Sequence, residues 1–331
     1  MPKNVSNSSG RRTEQQKKIL SLCICLFVCV SGYSQLGVLK NIEENRFLGQ
    51  TYLYKEKYDS AYTAIGRFVE NETFANPYDY LNFSMCCYKR NDTTTFLKYL
   101  NKAIQGGVDS IKVKSYLRKL TGNDKAFLEN YLTANYEEMR KKGWSKYDTV
   151  LIKEVNSIEH LDQFARNEMM QSASAKADSN YSYLAFFQKQ ADSINYARVA
   201  RLIELGKFPG YHNCGAFASL TISLIHLGDY HEDEWEYLFK QLKIEVLTGN
   251  ILPIEVATIA DNHYERGNGQ LCSYYGHWIG RTATLCNCKE VDKYRAAIGL
   301  EDLLTEYKAR DRTLPDCYEP AEGQKNISGQ R

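Results

Sequence analysis

The sequence predicts an all-α chain, with helical hairpins in the first half and a helical-bundle domain after them. Three observations predict it. Apolar residues recur at three- and four-residue spacing along the 331 residues, and from about Val150 onward no stretch of any length alternates apolar and polar. The breaks between periodic segments are short and carry helix-boundary residues, such as Asn76-Pro77 and Gly106-Gly107. Tyrosine occurs 25 times, and a ring that packs while its hydroxyl meets water suits thin helical layers.

Residues 1–34 read as a secretory signal peptide. Lys17 and Lys18 precede an apolar run from Ile19 to Val30, and the small or turn-forming Ser31, Gly32 and Ser34 follow. That run is shorter than the stretch of about 20 apolar residues that crosses a bilayer. The expected location is therefore exported: periplasmic, cell-envelope or secreted. Membrane contact is expected only through this segment, as a cleaved signal or a retained anchor. The whole chain carries 42 basic and 40 acidic residues; the leader holds five of the bases and one acid, which leaves 37 against 39. No basic field remains to hold nucleic acid.

Residues 36–142 read as stacked helix pairs. Tyr52, Leu53, Tyr58, Ala61, Ile65 and Phe68 follow one helical face. Asn76-Pro77 opens the next unit, which runs through Tyr80, Leu81, Met85, Cys86 and Tyr88. Lys89-Arg90-Asn91-Asp92 turns it, and Phe96, Leu97, Leu100 and Ile104 continue. Ala61, Ile65 and Val69 recur 35 residues on as Phe96, Leu100 and Ile104. This period resembles that of tetratricopeptide repeats, without their tryptophan and glycine. Leu117, Leu120, Phe127, Leu128 and Leu132 form a capping segment. A concave repeat surface implies a peptide or protein partner.

Residues 150–310 form the second domain. Asp162, Gln163 and Arg166 share one helical turn, and Asp192, Asn195 and Arg198 repeat the arrangement a helix later. The helix ends at Gly206 and Pro209. Phe217 to His226 reads as a buried helix whose single ionisable side chain is His226. Glu255 to Asp261 reads as another apolar helix, and Gly267, Gly269, Gln270, Tyr275 and Gly276 punctuate the loop beyond it. From Asp311 to residue 331 too little apolar content remains to pack, which predicts a mobile tail.

The order Asp162-Gln163-x2-Arg166, Asn195-x2-Arg198, Gly206 to Pro209, Gly215, His226, Leu247 to Gly249, Asp261, Gln270 before Tyr275-Gly276, then Asp292, Arg295 and Gly299-Leu300 resembles a bacterial domain of unknown function. The resemblance spans Ile158 to Tyr307. Members often carry tetratricopeptide-like helices in front, and many are exported, so the likeness implies a fold unit and a candidate site but no reaction.

Two readings follow for these polar residues. If they converge on an open cleft, His226 with Asp261 or Asp162 supplies a general acid-base pair, while Gln163, Arg166, Asn195, Arg198, Gln270 and Tyr275 bind and orient a ligand. A hydrolase or lyase acting on a small anionic or peptide substrate would then fit. If instead they pair with one another, they form a buried network that specifies packing. Ser219 and Ser223 lie on the His226 segment, but no G-x-S-x-G is present. No H-E-x-x-H marks a metal site, and Gly267-Asn268-Gly269 lacks the Lys-Ser/Thr of a phosphate loop, so neither metal nor cofactor is expected. Beyond the leader lie Cys86, Cys87, Cys214, Cys272, Cys286, Cys288 and Cys317, an odd count that leaves at least one thiol unpaired. Cys272, Cys286 and Cys288 cluster and predict a local disulfide. Adjacent Cys86 and Cys87 read as small buried hydrophobes.

Overall fold

The computed structural model describes residues 35–117, 122–174, 181–226, 232–267, 272–277 and 284–320. The expected signal peptide, Leu120, Gln270 and residues 321–331 lie outside them. The described chain is all-α, and its strands are β1 (Cys272–Ser273) and β2 (Thr284–Leu285), a two-residue parallel pair. Among the described residues no helix is long and apolar enough to cross a membrane.

The first half begins with α1 (35–54), α2 (Tyr58–Gly66), α3 (Pro77–Lys89) and α4 (Thr93–Gln105). The residues expected on one helical face from Tyr52 to Phe68 fall on α1, on α2 and in the turn after it, because Glu56 turns left-handed at φ 56° between the helices and α2 ends at Gly66. Asn76-Pro77 starts α3 as expected. The Asn76 side chain accepts from the amides of Tyr78 (2.8 Å) and Asp79 (3.2 Å), and Asp79 returns a bond to the Asn76 amide (3.0 Å). Asp79 also receives Nε of the buried Arg46 at 3.0 Å, which ties α1 to α3. Then come α5 (Ser110–Leu117) and α6 (Gly122–Trp144), the latter burying Leu128 and Leu132 while Phe127 stays exposed.

The second half contains α7 (Thr149–Ser174), α8 (Tyr181–Glu204), α9 (Tyr211–Cys214), α10 (Thr221–His226), α11 (Glu232–Leu247) and α12 (Pro253–Asn262). A π-helical turn (His263–Gly267) follows, then the strands, α13 (Val291–Ala296) and α14 (Leu303–Ala309). The helix expected from Phe217 to His226 is shorter than its apolar content implies. Residues 217–220 are non-helical, Ser219 is exposed and Ile222 is half-exposed. The segment is irregular because it crosses the end of α4: the Ala216 amide donates to the Gly106 carbonyl at 2.6 Å. That crossing needs Gly215, at φ 59°, whose side-chain position is already filled by the Gly106 carbonyl and the Tyr147 ring.

The buried apolar residues from Leu39 to Leu300 form one continuous core, so the turn between α6 and α7 carries no break in packing. A further bond joins the halves, from His212 Nε2 to the Thr73 carbonyl (2.9 Å), and at the start of α7 the Asp148 amide donates to the Asn213 carbonyl (3.0 Å). Glu255, at the start of α12, accepts from the Leu252 amide (2.9 Å) and Thr221 Oγ1 (2.9 Å), which fixes α10 against α12.

A second, small core of Leu285, Val291, Leu303, Leu304, Tyr307 and Tyr318 closes the chain. Disulfides Cys272–Cys286 and Cys288–Cys317 staple it. The first is the local disulfide expected. The second reaches into the segment expected to be mobile, and Tyr318 there is buried with its hydroxyl on Asp292 at 2.7 Å. A covalent link and one aromatic ring hold residues that hydrophobic content alone would not. Cys86, Cys87 and Cys214 remain thiols, all buried.

The Cys288–Cys317 bond closes a loop with a sequence separation of 29. Replacing both cysteines by serine is expected to cost this C-terminal unit about 2–4 kcal/mol. Amide exchange should accelerate in α13 and α14 while α3 and α4 keep their protection; uniform acceleration would refute a separately stapled unit.

Candidate functional site

Two polar clusters hold most of the candidate residues. The first is centred on Asp162 of α7, whose side chain has no exposed surface. Its Oδ2 accepts from Gln163 Nε2 at 2.7 Å and faces His226 Nδ1 at 2.9 Å, while Oδ1 accepts from Arg166 Nε at 3.1 Å. Burial pushes this carboxyl toward its neutral form, but the His226 hydrogen bond, the Arg166 charge and Gln163 outweigh it and lower its pKa below the usual aspartate value. An ionised carboxylate only accepts, so His226 Nδ1 carries the proton and donates. The His226 side chain, at the end of α10, is 27% exposed. Arg166 Nη2 then reaches Asp192 of α8 at 3.0 Å and the His226 carbonyl at 3.1 Å. One guanidinium thus braces α7, α8 and α10 together.

Asn195 and Arg198 do not join this centre. Asn195 is buried and donates to the Ile158 carbonyl at 3.2 Å, whereas Arg198 Nε pairs with Glu154 at 2.7 Å. Both bonds lie one and two turns nearer the start of α7, because the α7–α8 pair repeats its polar contacts along its length. Ser223 lies one turn before His226 with a wholly buried hydroxyl that has no partner among the described residues, so it makes no bond to the imidazole.

Asp261 belongs to the second cluster. Its Oδ1 accepts from the Tyr275 amide at 2.6 Å and its Oδ2 from the His277 amide at 2.9 Å. The acid that faces His226 is therefore Asp162, and the expected Asp261 role is replaced by the anchoring of a loop. Tyr275 is likewise structural. Its ring is 2% exposed, packs on Tyr274 with centroids 5.1 Å apart, and burial pushes its phenol pKa well above the ordinary value.

The loop that Asp261 holds is completed by Arg295, which has no exposed surface. Arg295 Nη1 donates to the Tyr275 carbonyl (2.7 Å), Nε to the Glu301 carbonyl (2.7 Å) and Nη2 to Glu306 Oε2 (2.7 Å). Glu306 Oε1 faces His277 Nδ1 at 3.1 Å. Burial opposes its ionisation, yet the His277 hydrogen bond and the Arg295 charge pull its pKa down to about 2. Glu301 accepts only a longer Arg295 contact, 3.4 Å, and burial pushes its pKa up to about 7. Neither Glu301, Glu306 nor His277 stands out in the sequence. The signal available was Glu306 on α14, a charge set among the core positions Leu303, Leu304 and Tyr307.

Aromatic rings fill the space between the clusters and α11. Trp235 stacks on His263 at 4.0 Å, and Tyr264, Tyr274 and Tyr294 stack in turn at 4.7 and 4.2 Å. Burial lowers the His263 pKa to about 4. Among the described residues no group of three or more His, Cys, Asp or Glu side chains is placed to hold a metal ion. A cavity in this half, lined by Tyr211, Thr221, Asn250 and Glu255, has about 20 Å³, room for one water, and no candidate residue lines it. No family model matches the chain, and no curated protein or solved structure does either.

Two outcomes follow from these clusters. Arg295→Met removes the buried guanidinium that Glu306 and Glu301 share, leaving Glu306 only His277 and the part-exposed Arg310, and is expected to cost about 3–5 kcal/mol in urea unfolding; a loss under about 1 kcal/mol would show that the network is not essential. The second outcome concerns pH. His263 takes its proton near 6.5 when unfolded and near 4 when folded, so its contribution is complete above 6.5 and is lost as pH falls toward 4. Glu301 titrates near 4.5 unfolded and near 7 folded, so its contribution is complete below 4.5 and is lost as pH rises toward 7. Relative to the parent, His263→Phe should make stability fall more with rising pH across about 4 to 6.5, and Glu301→Gln should make it fall less across about 4.5 to 7. Chemical denaturation at closely spaced pH values reads both changes against the parent, and a change of the same sign in the two variants would contradict the assignment.

Proposed function

We propose that this chain is an exported helical binding protein that takes a peptide or protein partner on its first-half helices and performs no chemistry of its own. The observation that carries this reading is how the candidate site spends its polar atoms. Asp162 is enclosed by three donors, and Arg166 lies between two carboxylates, which neutralise it. An arginine so placed has no net charge to offer a substrate anion. The residues act as braces between helices, as a satisfied buried network does.

A contact surface is available elsewhere. α5 and α6 flank an open groove of about 720 Å³, with Val113, Leu132 and Tyr136 along its floor and Lys114, Lys125 and Glu137 on its rim. An apolar floor with a charged rim suits an amphipathic peptide, which places apolar side chains inward and charges outward. The helix pairs before it, with their recurrence at 35 residues, support a tetratricopeptide-like origin for this half. Two disulfides support an oxidising location outside the cytosol, in keeping with the leader. The likeness to an exported domain of unknown function adds no reaction to this reading.

A second reading, a hydrolase or lyase, has one specific observation in its favour. A wholly buried Asp162 behind a part-exposed His226 is the arrangement that orients an imidazole for acid-base work. One variant separates the two. Random peptides displayed on phage and selected on the full chain should bind His226→Gln as well as the parent. Val113→Ala with Tyr136→Ala should weaken them about tenfold or more, the loss expected for anchoring side chains. Selected peptides that ignore the groove variant would overturn the binding surface. Turnover of chromogenic peptide, ester or phosphate substrates that disappears in a folded His226→Gln would establish the enzyme instead.

A further inference from the structure

Removal of the expected leader decides which residue the mature chain presents first. Gly32 and Ser34 occupy the two small-residue positions ahead of the cut, so cleavage after Ser34 leaves Gln35 at the amino terminus. The described core begins directly behind it. Leu36 is half-buried, and Leu39 and Ile42 are buried. A chain that starts at Gln35 therefore keeps all the buried side chains described on α1. Gln35 itself is exposed, and its Nε2 donates to the Leu247 carbonyl at the end of α11 (2.6 Å).

We propose that Gln35 is a modification site: once the leader is cut, its side chain closes on its own amine to give an amino-terminal pyroglutamate. The α-amine nitrogen, as the free base, attacks Cδ of the side-chain amide. A new N–Cδ bond forms, the Cδ–Nε2 bond breaks, and Nε2 leaves as ammonia with the proton given up by the amine. No oxidant, reductant or second substrate enters. Among Gly32 to Val38, Gln35 is the single residue with a side-chain amide. The reaction thus depends on which bond is cut, since a first residue of Ser34 or Leu36 has no such group. The proposal rests on the export reading with a cleaved leader, which supplies the cut.

Position favours the closed ring. An ammonium on residue 35 would sit at the amino-terminal end of α1, where the helix dipole is already positive, and the two repel. Near neutral pH the amine is largely protonated, because its ordinary pKa is about 7.7–8.0. Ring closure removes that charge and keeps one N–H, on the ring nitrogen. The donor lost with Nε2 is replaceable, since Gln35 is exposed and water can reach the Leu247 carbonyl. Closure also removes the primary amine from which an aminopeptidase starts. Leu39, the first buried residue described on α1, lies only four positions further in, so a blocked terminus protects the edge of the core.

Intact mass spectrometry of the full chain, expressed with its leader and recovered from the cell envelope or the medium, tests it. The protein should have the mass of residues 35–331 with both disulfides, less about 17 Da for the ammonia. Stepwise degradation from the amino terminus should release nothing until pyroglutamyl aminopeptidase has removed the first residue, after which Leu36 should appear. Gln35→Ala should be cut at the same bond, show no loss of ammonia and release alanine at once. That variant separates ring closure at residue 35 from ammonia lost elsewhere in the chain. A chain that starts at Gln35 with its full mass and a free amine would overturn the proposal and leave the cleaved leader intact. A chain that keeps residues 1–34 would overturn the cleaved leader, and the proposal with it. A start at any other residue would also overturn the proposal.

Discussion

A carboxylate taken wholly out of water has to be given donors, and the second half of this protein is arranged around that requirement at Asp162. The side chain sits on α7, but the groups that satisfy it come from α10 as well as from its own helix, and Arg166 carries the tie on to α8. Removing one partner of a buried charge costs more than forming the bond gained, since the desolvation penalty is left uncompensated. The relative positions of α7, α8 and α10 are therefore set tightly even though few apolar residues of short α10 are available to hold it. Arg295 solves the same problem with the sign reversed: a buried cation collects the Tyr275 and Glu301 carbonyls and the Glu306 carboxylate, and so closes the loop that Asp261 holds by its amides.

These two centres differ in what supports them. Around Asp162 the continuous core from Leu39 to Leu300 supplies the apolar packing. Around Arg295 the outer side rests on six buried side chains, too few to order a separate unit against its chain entropy. Disulfides at Cys272–Cys286 and Cys288–Cys317 remove part of that entropy from the unfolded chain. The C-terminal region thus relies on covalent links where the remainder relies on burial.

The helical class was legible in the sequence because amphipathic periodicity and capping chemistry are local. Asn76-Pro77 opens α3 by bonds made within four residues. The cluster of Asp162, Gln163 and Arg166 was legible for the same reason, since one helical turn fixes their common face. What failed to read was everything set by distant backbone. The left-handed turn at Glu56 divides a continuous apolar face, and the approach of Ala216 to Gly106 shortens the helix expected before His226. The choice of acid for His226 also depended on tertiary placement. Asp162 and Asp261 are equally polar in sequence, and only the loop at Tyr275 and His277, which claims both oxygens of Asp261, separates them.

Polar atoms turned inward and apolar side chains turned outward are two sides of one economy in α8. Asp192, Asn195 and Arg198 bond to side chains and backbone of α7, so the inner face of the helix is specified by hydrogen bonds as much as by packing. Its outer face is then relieved of any part in holding the monomer together. Ordinary solvation would favour charged residues there, yet Tyr183, Phe186 and Ile194 occupy it. Single exposed apolar residues need no explanation. The three on α8 stand beside exposed Phe164 and Met170 on α7, so apolar exposure is shared by both helices of the pair whose inner faces the hydrogen bonds specify.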